Sequence, residues 1–367
     1  MYIWEREDWP HFRWDGAAFS DELAVVRTLQ ARLLGRMEAL GLQLRDEARL
    51  ATLTREVLAT SEIEGEHLDD AQVRSSVARR LGLDAAGLGP VDRNVEGVVE
   101  VLLDATQNYH APLTAERLKG WQAALFPSGH SGMQRIRTGE YRDEAKDPMR
   151  VLSGPIEKPK VHFEAPPANR VEAEIGRFLK WFNDEKGPDP IIKSGVAHLW
   201  FVTIHPFEDG NGRIARAIAD MTLARGENTT LRAYSLSSRI RDERESYYGS
   251  LERAQKAGMD ITARLDWFVA QINHAVGDGL LRLDQAVLKA QFWNRFGRQA
   301  LNDRQIKVLE RLMKDDWEGK LTSSKWARIA KCSQDTAGRD INDLLQRGAL
   351  VKNPGGGRST SYSIKYG

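Results

Sequence analysis

The sequence has little cysteine, little net charge and no long apolar run. Its 367 residues include one cysteine, Cys332, which excludes an intramolecular disulfide framework and a cysteine-cluster metal site and suits a reducing cytoplasm. Lysine and arginine number 53 against 52 aspartates and glutamates, so total charge does not indicate nucleic-acid or membrane binding. No stretch approaches a membrane span, and the N-terminus lacks the pattern of a signal peptide. We therefore expect a cytoplasmic protein without membrane contact, long enough for two or three domains.

A glycine-rich stretch, HPFEDGNGRIAR at residues 205–216, leads directly into an alanine-rich apolar segment. Gly210 and Gly212 permit the positive φ angles and close backbone approach with which a loop turns several N–H groups toward one point. The apolar residues after the loop, among them Ile214 and Ile218, recur near helical spacing. The loop is therefore predicted to lie at a helix N-terminus, where unpaired amides and the helix dipole favour a phosphate.

The charged residues of this stretch are of the types that phosphate chemistry requires. Asp209 is placed to hold a divalent metal, and Mg²⁺ is the usual choice because it keeps phosphate oxygens as ligands. Arg213 and Arg216 lie three positions apart on one helical face, so both guanidinium groups can reach the same polyphosphate. His205 can serve as a general base. The alternative interpretation is a glycine turn that caps an ordinary helix, with His205 merely filling a loop position.

At these residues the sequence resembles the complete signature of the Fic family, whose members typically transfer AMP from ATP to a protein hydroxyl. The resemblance implies that His205 deprotonates the target hydroxyl, which attacks the α-phosphate. It also implies that Asp209 holds Mg²⁺ between the α- and β-phosphates. Arg213 would neutralise the pyrophosphate leaving group, and Arg216 would fix the γ-phosphate.

The nucleotide site implied by this resemblance includes residues around the charged ones. The full set assigned to ATP and phosphate binding is Glu208, Asp209, Gly210, Asn211, Gly212, Arg213, Arg216 and Tyr248. Tyr248 would stack on or border the adenine, with Tyr247 as the second candidate. Core packing is the alternative for both tyrosines.

A second stretch, TSEIEG at residues 60–65, ends a predicted helix. The spacing puts Thr60 and Glu64 on one helical face, and Gly65 suits a helix terminus. The stretch resembles the inhibitory motif of Fic proteins. By that resemblance Glu64 would pair with Arg216 and displace the γ-phosphate, because a carboxylate competes for the donors that a phosphate uses. The alternative is that Glu64 is one of many solvated glutamates.

The regions around these motifs read as mostly helical. Residues 1–112 are expected to form an N-terminal helical regulatory region that contains the inhibitory helix and opens with an aromatic cluster packed onto a core. This region resembles a small domain of unassigned role, DUF4172, found ahead of bacterial Fic cores. Residues 113–298 are expected to form the catalytic core, in which residues 190–204 are nearly apolar all round and hence central. His198 in that segment is predicted to be a satisfied core histidine.

A β-hairpin is predicted within the core. Residues 149–152 and 160–163 are short β-leaning runs on either side of a turn rich in glycine and proline. The hairpin resembles the flap of Fic enzymes, against which a target segment docks by strand addition. The alternative is a simple surface hairpin. His162 is a candidate polar contact, although a cross-strand structural role is favoured.

A separate module is predicted for residues 299–367, where three helical patterns precede a glycine-tipped hairpin. This order resembles a winged helix-turn-helix. Residues 301–367 carry thirteen lysines and arginines against eight acidic residues, an excess that the whole-chain balance conceals.

The third helix of this module would be its recognition helix, with the hairpin as the wing. Ser333 would cap the recognition helix, and Arg358 would lie in the wing against phosphate. The side chains predicted to be exposed on that helix are Gln334, Thr336 and Arg339. Asp335 and Asp340 on the same helix would repel DNA, so DNA contact and protein docking both remain open.

These patterns predict a mainly α protein with a Fic-fold helical core, a β-hairpin flap, an N-terminal helical region and a C-terminal winged helix-turn-helix. The expected activity is magnesium-dependent transfer of AMP from ATP to a Ser, Thr or Tyr hydroxyl of a target protein, restrained by Glu64. Two alternatives stay open. One is transfer of another nucleotide or of phosphate, and the other is a DNA-binding regulator whose core senses a nucleotide. The family resemblance also suggests a homodimer.

Overall fold

The computed structural model describes residues 1–83, 89–155, 158–314, 317–355 and 360–366, except for the side chain of Lys146. Within these ranges the protein is mainly helical, as the sequence predicted. It divides into two compact units, Met1–Leu280 and Leu281–Gly367. The predicted N-terminal region and most of the predicted core thus lie in one compact unit. None of the described helices combines the length and apolar composition needed to cross a membrane.

The first unit is built from helices, and the last of them continues past the unit boundary. They are α1 (Ser20–Glu38), α2 (Leu42–Ile63), α3 (Asp70–Arg80), α4 (Arg93–Gln107), α5 (Ala115–Leu125), α6 (Val171–Asp184), α7 (Pro190–Ile204), α8 (Asn211–Glu227), α9 (Leu236–Asp242), α10 (Arg244–Lys256) and α11 (Thr262–Phe296). Side-chain caps fix several of their starts. Asp69, Asp92 and Thr114 each accept a hydrogen bond from a backbone N–H of the following turn.

Helices α7 and α8 form the centre of the first unit and pack along each other. Every residue from Ile191 to Ile204 is buried except Lys193, because a helix that is apolar all round can be covered on every side. His198 on α7 is fully buried, with Nε2 3.1 Å from the Tyr247 hydroxyl, which confirms its predicted place in the core. The turn between α7 and α8 carries the candidate site.

Helix α2 brings the TSEIEG stretch against α8. It also packs on α3, α4 and α9, and its residues Val57 and Ile63 are fully buried. The buried Glu56 accepts hydrogen bonds from the Ser235 hydroxyl at 2.6 Å and from the Ser237 N–H at 3.2 Å. Apolar burial and these hydrogen bonds therefore hold the second half of α2 in place.

The chain between α5 and α6 contains two antiparallel hairpins. One pairs β1 (His130–Ser131) with β2 (Gln134–Arg135), and the other pairs β3 (Arg150–Ser153) with β4 (Lys160–Glu164). The second is the predicted hairpin, here called the flap; β3 begins and ends one residue later than predicted, and β4 begins where predicted and ends one residue later. The first was not predicted, because strands of two residues carry no readable alternation.

His162 ties the flap to α10. Its Nε2 lies 2.6 Å from the Ser153 Oγ on the facing strand, and its Nδ1 lies 2.7 Å from an oxygen of Glu252. Hydrogen bonds from Lys256 and His162 lower the pKa of Glu252 to about 2. The cross-strand role predicted for His162 is confirmed, and the side chain adds a contact to the helical core.

The aromatic cluster at the N-terminus packs onto the first unit. Trp4 and Trp9 are buried, and their indole N–H groups donate to the Glu164 carbonyl at 2.7 Å and to the Glu174 carboxylate at 2.9 Å. Tyr2 meets Phe163 edge to face, with ring centroids 5.2 Å apart. The predicted packing role of this cluster is confirmed.

The second unit has its own buried core around Trp326, which is fully buried. After the end of α11 its elements are α12 (Asp303–Leu312), α13 (Ser323–Ala330), α14 (Gln334–Gln346), β5 (Leu350–Lys352) and β6 (Tyr362–Ile364). Strands β5 and β6 are antiparallel, and Leu321 ahead of α13 bridges to Tyr362. This is the predicted order of three helices and a hairpin.

Helix α14 has the predicted cap, but one of its two aspartates is not exposed to DNA as the sequence analysis expected. Ser333 caps the helix by accepting the Thr336 N–H at 3.2 Å, as predicted. The prediction that Asp340 repels DNA is wrong, because Asp340 is buried and bound by Arg304 at 2.9 and 3.0 Å. Asp335 is exposed, as expected. Arg358, assigned to the wing, lies outside the described residues.

Candidate active site

The site is built on the sharp turn that joins α7 to α8. His205 follows the last residue of α7 in the left-handed region, with φ 50° and ψ 59°, and its N–H donates to the Phe201 carbonyl at 3.1 Å. Gly210, with φ 88°, directly precedes α8. A Cβ at Gly210 would lie 2.9 Å from the Phe126 ring, so both the backbone angle and the close approach require glycine.

His205 is held in its neutral form. Its Nδ1 lies 3.4 Å from the Val202 carbonyl oxygen, which favours a proton on Nδ1 and leaves Nε2 as the basic nitrogen. Burial, together with the nearby positive charge of Arg142, lowers the pKa of His205 to about 4. Arg142 also donates from Nε to the His205 carbonyl at 2.9 Å, which fixes the backbone of the turn. A neutral imidazole at this position can accept a proton.

Asn211 braces the loop. Its side-chain oxygen accepts the Phe207 N–H at 3.0 Å, and its side-chain nitrogen donates to the Phe207 carbonyl at 2.8 Å. The residue is buried. Asn211 therefore shapes the glycine loop through Phe207, whereas the sequence had assigned it to the phosphates directly.

Asp209 carries the carboxylate predicted to hold a metal. One of its oxygens accepts the Gly210 N–H at 2.6 Å, and the other accepts the hydroxyl of Ser131 on β1. Both donors are neutral groups, and the carboxylate oxygens have further lone pairs with which to bind a cation. The neighbouring Glu208 accepts the Arg137 N–H at 3.4 Å. Asp209 thus fits a metal that takes its other ligands from phosphate and water.

Arg213 is almost entirely buried, with 3% of its side chain exposed. Its guanidinium carbon lies 4.9 Å from the centroid of the Phe126 ring, and its Nη1 donates to Glu66 at 2.7 Å. Aromatic contact and burial fix the direction of the guanidinium group. Its positive charge is directed at the end of α2.

Arg216 is bound by the last turn of α2. Its Nε donates to the Thr60 hydroxyl at 2.7 Å, and its Nη2 donates to the Thr60 carbonyl at 2.9 Å and to Glu64 at 2.7 Å. Burial acts to lower the pKa of Arg216, but the charge and hydrogen bond of Glu64, together with the nearby Tyr247 and Tyr248, outweigh burial and raise the pKa above its usual value. The structure therefore brings together the three residues that the inhibitory resemblance had linked.

Gly212 lies directly beneath the Glu64 carboxylate. A Cβ at Gly212 would be 2.2 Å from a Glu64 oxygen and 3.3 Å from Nη1 of Arg216. The missing side chain leaves the space that an anion needs next to the helix N-terminus. In this structure the Glu64 carboxylate fills that space.

The two tyrosines predicted near the adenine are separated by burial. Tyr247 is 2% exposed and bonded to His198, so it belongs to the core. Tyr248 is 38% exposed, and its hydroxyl donates to the Ile63 carbonyl at 3.4 Å at the end of α2. Tyr248 thus borders the inhibitory turn, and the structure disfavours Tyr247 as the second candidate.

Several residues that the sequence analysis did not assign to the site touch the assigned ones. Those from distant parts of the chain include Glu66, Phe126, Ser131 and Arg142. Each lies far along the chain from residues 205–216, so local spacing does not indicate the contact. Of these residues, Glu66 is the one that the sequence could have suggested, because it is a second glutamate two positions after Glu64.

Comparison with known proteins shows two family domains. Residues 2–83 match a domain of unknown function, DUF4172, and residues 112–223 match the Fic/DOC family. The chain is 32% identical over 103 residues to a probable protein adenylyltransferase of Aquifex aeolicus. The matched stretch covers 28% of this chain and 30% of that protein. The chain is 39% identical over 54 residues to protein adenylyltransferase fic-1 of Caenorhabditis briggsae, covering 14% and 11% respectively. The chain spans less than a third of the length of these relatives.

Solved structures show the same fold at low sequence identity. A Fic family protein from Desulfovibrio desulfuricans G20 superposes with a TM-score of 0.53 at 20% identity, over 95% of this chain and 96% of that one. A Fic domain containing signaling protein from Bacteroides thetaiotaomicron gives a TM-score of 0.52 at 17% identity, over 72% and 95%. These similarities confirm the predicted fold class.

Proposed function

From the Fic/DOC domain at residues 112–223, we propose that the protein transfers AMP from ATP to a serine, threonine or tyrosine hydroxyl of a target protein. The observation that carries the proposal is the α7–α8 turn, where a neutral His205 stands beside a helix N-terminus with two buried arginines. The relatives named protein adenylyltransferase support it.

The reaction needs a base, an anion site and a neutralised leaving group. His205 Nε2 takes the proton of the target hydroxyl while the hydroxyl oxygen bonds to the α-phosphorus. The bond between the α-phosphorus and the oxygen that bridges it to the β-phosphorus breaks. Arg213 and Arg216 neutralise the departing pyrophosphate. Asp209 would hold Mg²⁺, which supplies further charge neutralisation for the phosphates when it is bound.

The resting state is proposed to be autoinhibited by Glu64. The Glu64 carboxylate holds Nη2 of Arg216, which is the donor that a γ-phosphate would use. Thr60 holds the same guanidinium group in place through its hydroxyl and its carbonyl. A nucleoside triphosphate must therefore displace Glu64 before it can bind in full.

The flap is proposed to receive the target segment. Leu152 on β3 and Val161 on β4 are exposed apolar side chains in a two-stranded sheet. Such an edge can accept an extended peptide as an added strand, with pockets for alternate side chains. The tie from His162 to α10 would then fix where the target hydroxyl is presented.

The first experiment compares wild type, Glu64→Gly and Glu64→Gly/His205→Ala after incubation with ATP and Mg²⁺, by intact-mass spectrometry. We expect an AMP-sized adduct on the protein itself or on an added lysate protein that is much stronger in Glu64→Gly and absent in the double variant. ATP binding should survive in the double variant, because a lost base affects chemistry more than affinity.

Label position separates the enzymatic alternatives. Label from the α-phosphate of ATP should reach protein, and label from the γ-phosphate should not. Transfer of γ-label would instead establish phosphate transfer, and label from UTP in preference to ATP would establish a different nucleotide. Loss of ATP binding in His205→Ala would show that His205 is structural.

A second function, DNA contact by the second unit, is favoured by one observation. Two acidic residues of α14 were predicted to repel DNA. Asp340 is buried against Arg304, so only the other, Asp335, is exposed on the helix beside Gln334 and Arg339. Binding of the full chain to duplex DNA should weaken steeply with salt and with Arg339→Ala. A response that does not change with salt would remove this proposal.

A further inference from the structure

Two glutamates on either side of Gly65 each bind one arginine of the α8 signature. Glu64 holds Nη2 of Arg216 at 2.7 Å, and Glu66 holds Nη1 of Arg213 at 2.7 Å. The first contact belongs to the proposed function. The second brings another carboxylate to the other cation of the site, so both positive charges of the anion site are paired.

The backbone fixes both carboxylates in one rigid turn. Gly65 has φ 84°, and its N–H donates to the Glu62 carbonyl at 3.0 Å. The Glu66 N–H reaches back to the Ser61 carbonyl at 3.0 Å. These two bonds form the Schellman motif, which satisfies the last carbonyls of a helix and requires a left-handed residue. Glu66 is therefore placed by the same helix end that places Glu64.

Arg213 needs an anion. Its side chain is buried against Phe126, and a buried guanidinium group without a counter-charge is costly. Among the described residues, Glu66 is the carboxylate that the structure places on it. The Glu66 side chain is itself 44% exposed, so it can move into water when another anion arrives.

We propose that Glu66 is a second inhibitory carboxylate. It binds Arg213 where the β-phosphate of a nucleotide would otherwise bind. The proposal rests on the proposed function for the identity of the ligand, a nucleoside di- or triphosphate. Glu64 then opposes the terminal phosphate of ATP at Arg216, and Glu66 opposes the β-phosphate at Arg213. The two glutamates act on different parts of the nucleotide.

This division predicts different responses to nucleotide length. Glu66→Gln should strengthen ADP and ATP binding by about tenfold each, within the range of typical coupling between competing ligands. It should leave AMP unchanged, because AMP has no β-phosphate. Glu64→Gln should strengthen ATP and leave ADP nearly unchanged. The double variant should bind ATP more tightly than either single variant.

The experiment measures the affinities of AMP, ADP and ATP with Mg²⁺ by calorimetry on the full chain, in a His205→Ala background that prevents turnover. Glu66→Asp keeps the charge but shortens the side chain by one methylene, so it should also strengthen ADP binding if the contact itself matters. The matched control is Glu62→Gln, which removes the 2.9 Å ion pair from Glu62 to Arg241 in the same turn of α2. It should leave all three affinities unchanged.

The outcomes separate this proposal from the proposed function. Unchanged ADP affinity in Glu66→Gln, beside stronger ATP binding in Glu64→Gln, overturns the role of Glu66 and leaves the enzyme reading intact. An equal gain for AMP, or a gain in Glu62→Gln, shows general loosening of the helix end and also overturns it. Failure of every variant to bind any of the three nucleotides overturns both.

Discussion

The state of single side chains decides what the α7–α8 turn can do. His205 is neutral because burial and Arg142 both oppose its protonation. The base is therefore available without a prior proton loss. Its Nδ1 contact with the Val202 carbonyl selects the tautomer that points the basic nitrogen away from the backbone.

The lowered pKa of His205 predicts an unusual pH profile. In Glu64→Gly, kcat/KM for AMP transfer should stay flat from about pH 8 to about pH 5 and fall only as His205 protonates near pH 4. Removal of Glu64 takes away a charge that raises this pKa, so the midpoint should not move upward. Initial rates across buffers of constant ionic strength measure it.

A midpoint of the pH profile near the ordinary histidine pKa would contradict this assignment.

The stability of the protein gives an independent check on the pKa of His205. The unfolded chain binds the His205 proton at a higher pH than the folded one, so lowering pH from about 6.5 toward 4 reduces the free energy of unfolding. His205→Asn should remove part of that acid sensitivity, measured as denaturant midpoints at pH 7 and pH 5.

At this scale the sequence predicted residues that lie in one contiguous stretch. The spacing of Arg213 and Arg216 predicted that they share one helical face, and both are buried near the start of α8, while the groups that they and Asp209 bind stay a prediction. Ser131 and Phe126 could not be predicted, since their contacts depend on how α5 and β1 fold back onto the loop. Tyr247 and Tyr248 differ in burial, which residue type does not indicate, and the contact of Tyr248 with an adenine stays a prediction.

Among the elements, the end of α2 is the one on which regulation is proposed to depend. Its Schellman turn requires the positive φ of Gly65. Helix α3 ends in the same way, with Gly82 at φ 68° and the Leu83 N–H donating to the Ala78 carbonyl at 3.0 Å. The Gly82 turn repeats the Gly65 geometry at another helix end, and the backbone hydrogen bonds that close it join it to α3 and not to the signature residues, so it can serve as a comparison.

Gly65→Ala should loosen the inhibitory turn. A non-glycine residue in the left-handed region costs about 1 kcal/mol, which shifts the balance away from the turn that holds Glu64 and Glu66. We expect ATP affinity to rise by about fivefold, less than in Glu64→Gly, with a small drop in Tm. Calorimetry and a thermal melt measure the two effects.

Gly82→Ala is the control. It places the same strain at the end of α3, so it should lower Tm by a similar amount without altering ATP affinity. Equal ATP affinities in the two alanine variants would show that the Gly65 turn does not control the site.

Element prediction from the sequence succeeded where periodicity was long and failed where it was short. The apolar α7 and the cap at Ser333 were predicted correctly from pattern and residue type. The hairpin β1–β2 was missed because its strands are too short to show alternation.

At the scale of the whole molecule, the residues that the structure describes form two buried cores. The first unit is organised around α7, where Phe201 is fully buried, and the second around Trp326. The sequence indicated the second unit through its change in composition, but placed its start at residue 299 whereas the structure places it at Leu281. The long helix α11 spans that boundary, and continuous helical periodicity gives no sign of it.

Trp326→Ala should destabilise the second unit alone. Removing a fully buried tryptophan costs about 3–5 kcal/mol through lost contacts and a cavity. Hydrogen exchange should accelerate in α12, α13 and α14 while ATP affinity of a Glu64→Gly background stays unchanged. Phe201→Ala is the counterpart and should accelerate exchange in α7 and α8. Faster exchange throughout both units in Trp326→Ala would show that the cores are not independent.

The anchoring of α2 also sets the speed at which the protein can respond. Glu56, the buried face of α2 and the Schellman turn keep the helix end in place, so the response falls to the partly exposed side chains of Glu64 and Glu66. Rotation of such side chains takes on the order of picoseconds to nanoseconds. A ligand that competes for Arg213 and Arg216 would therefore meet side chains that move faster than it arrives. The rate of the response would be set by the rate at which the ligand reaches the site.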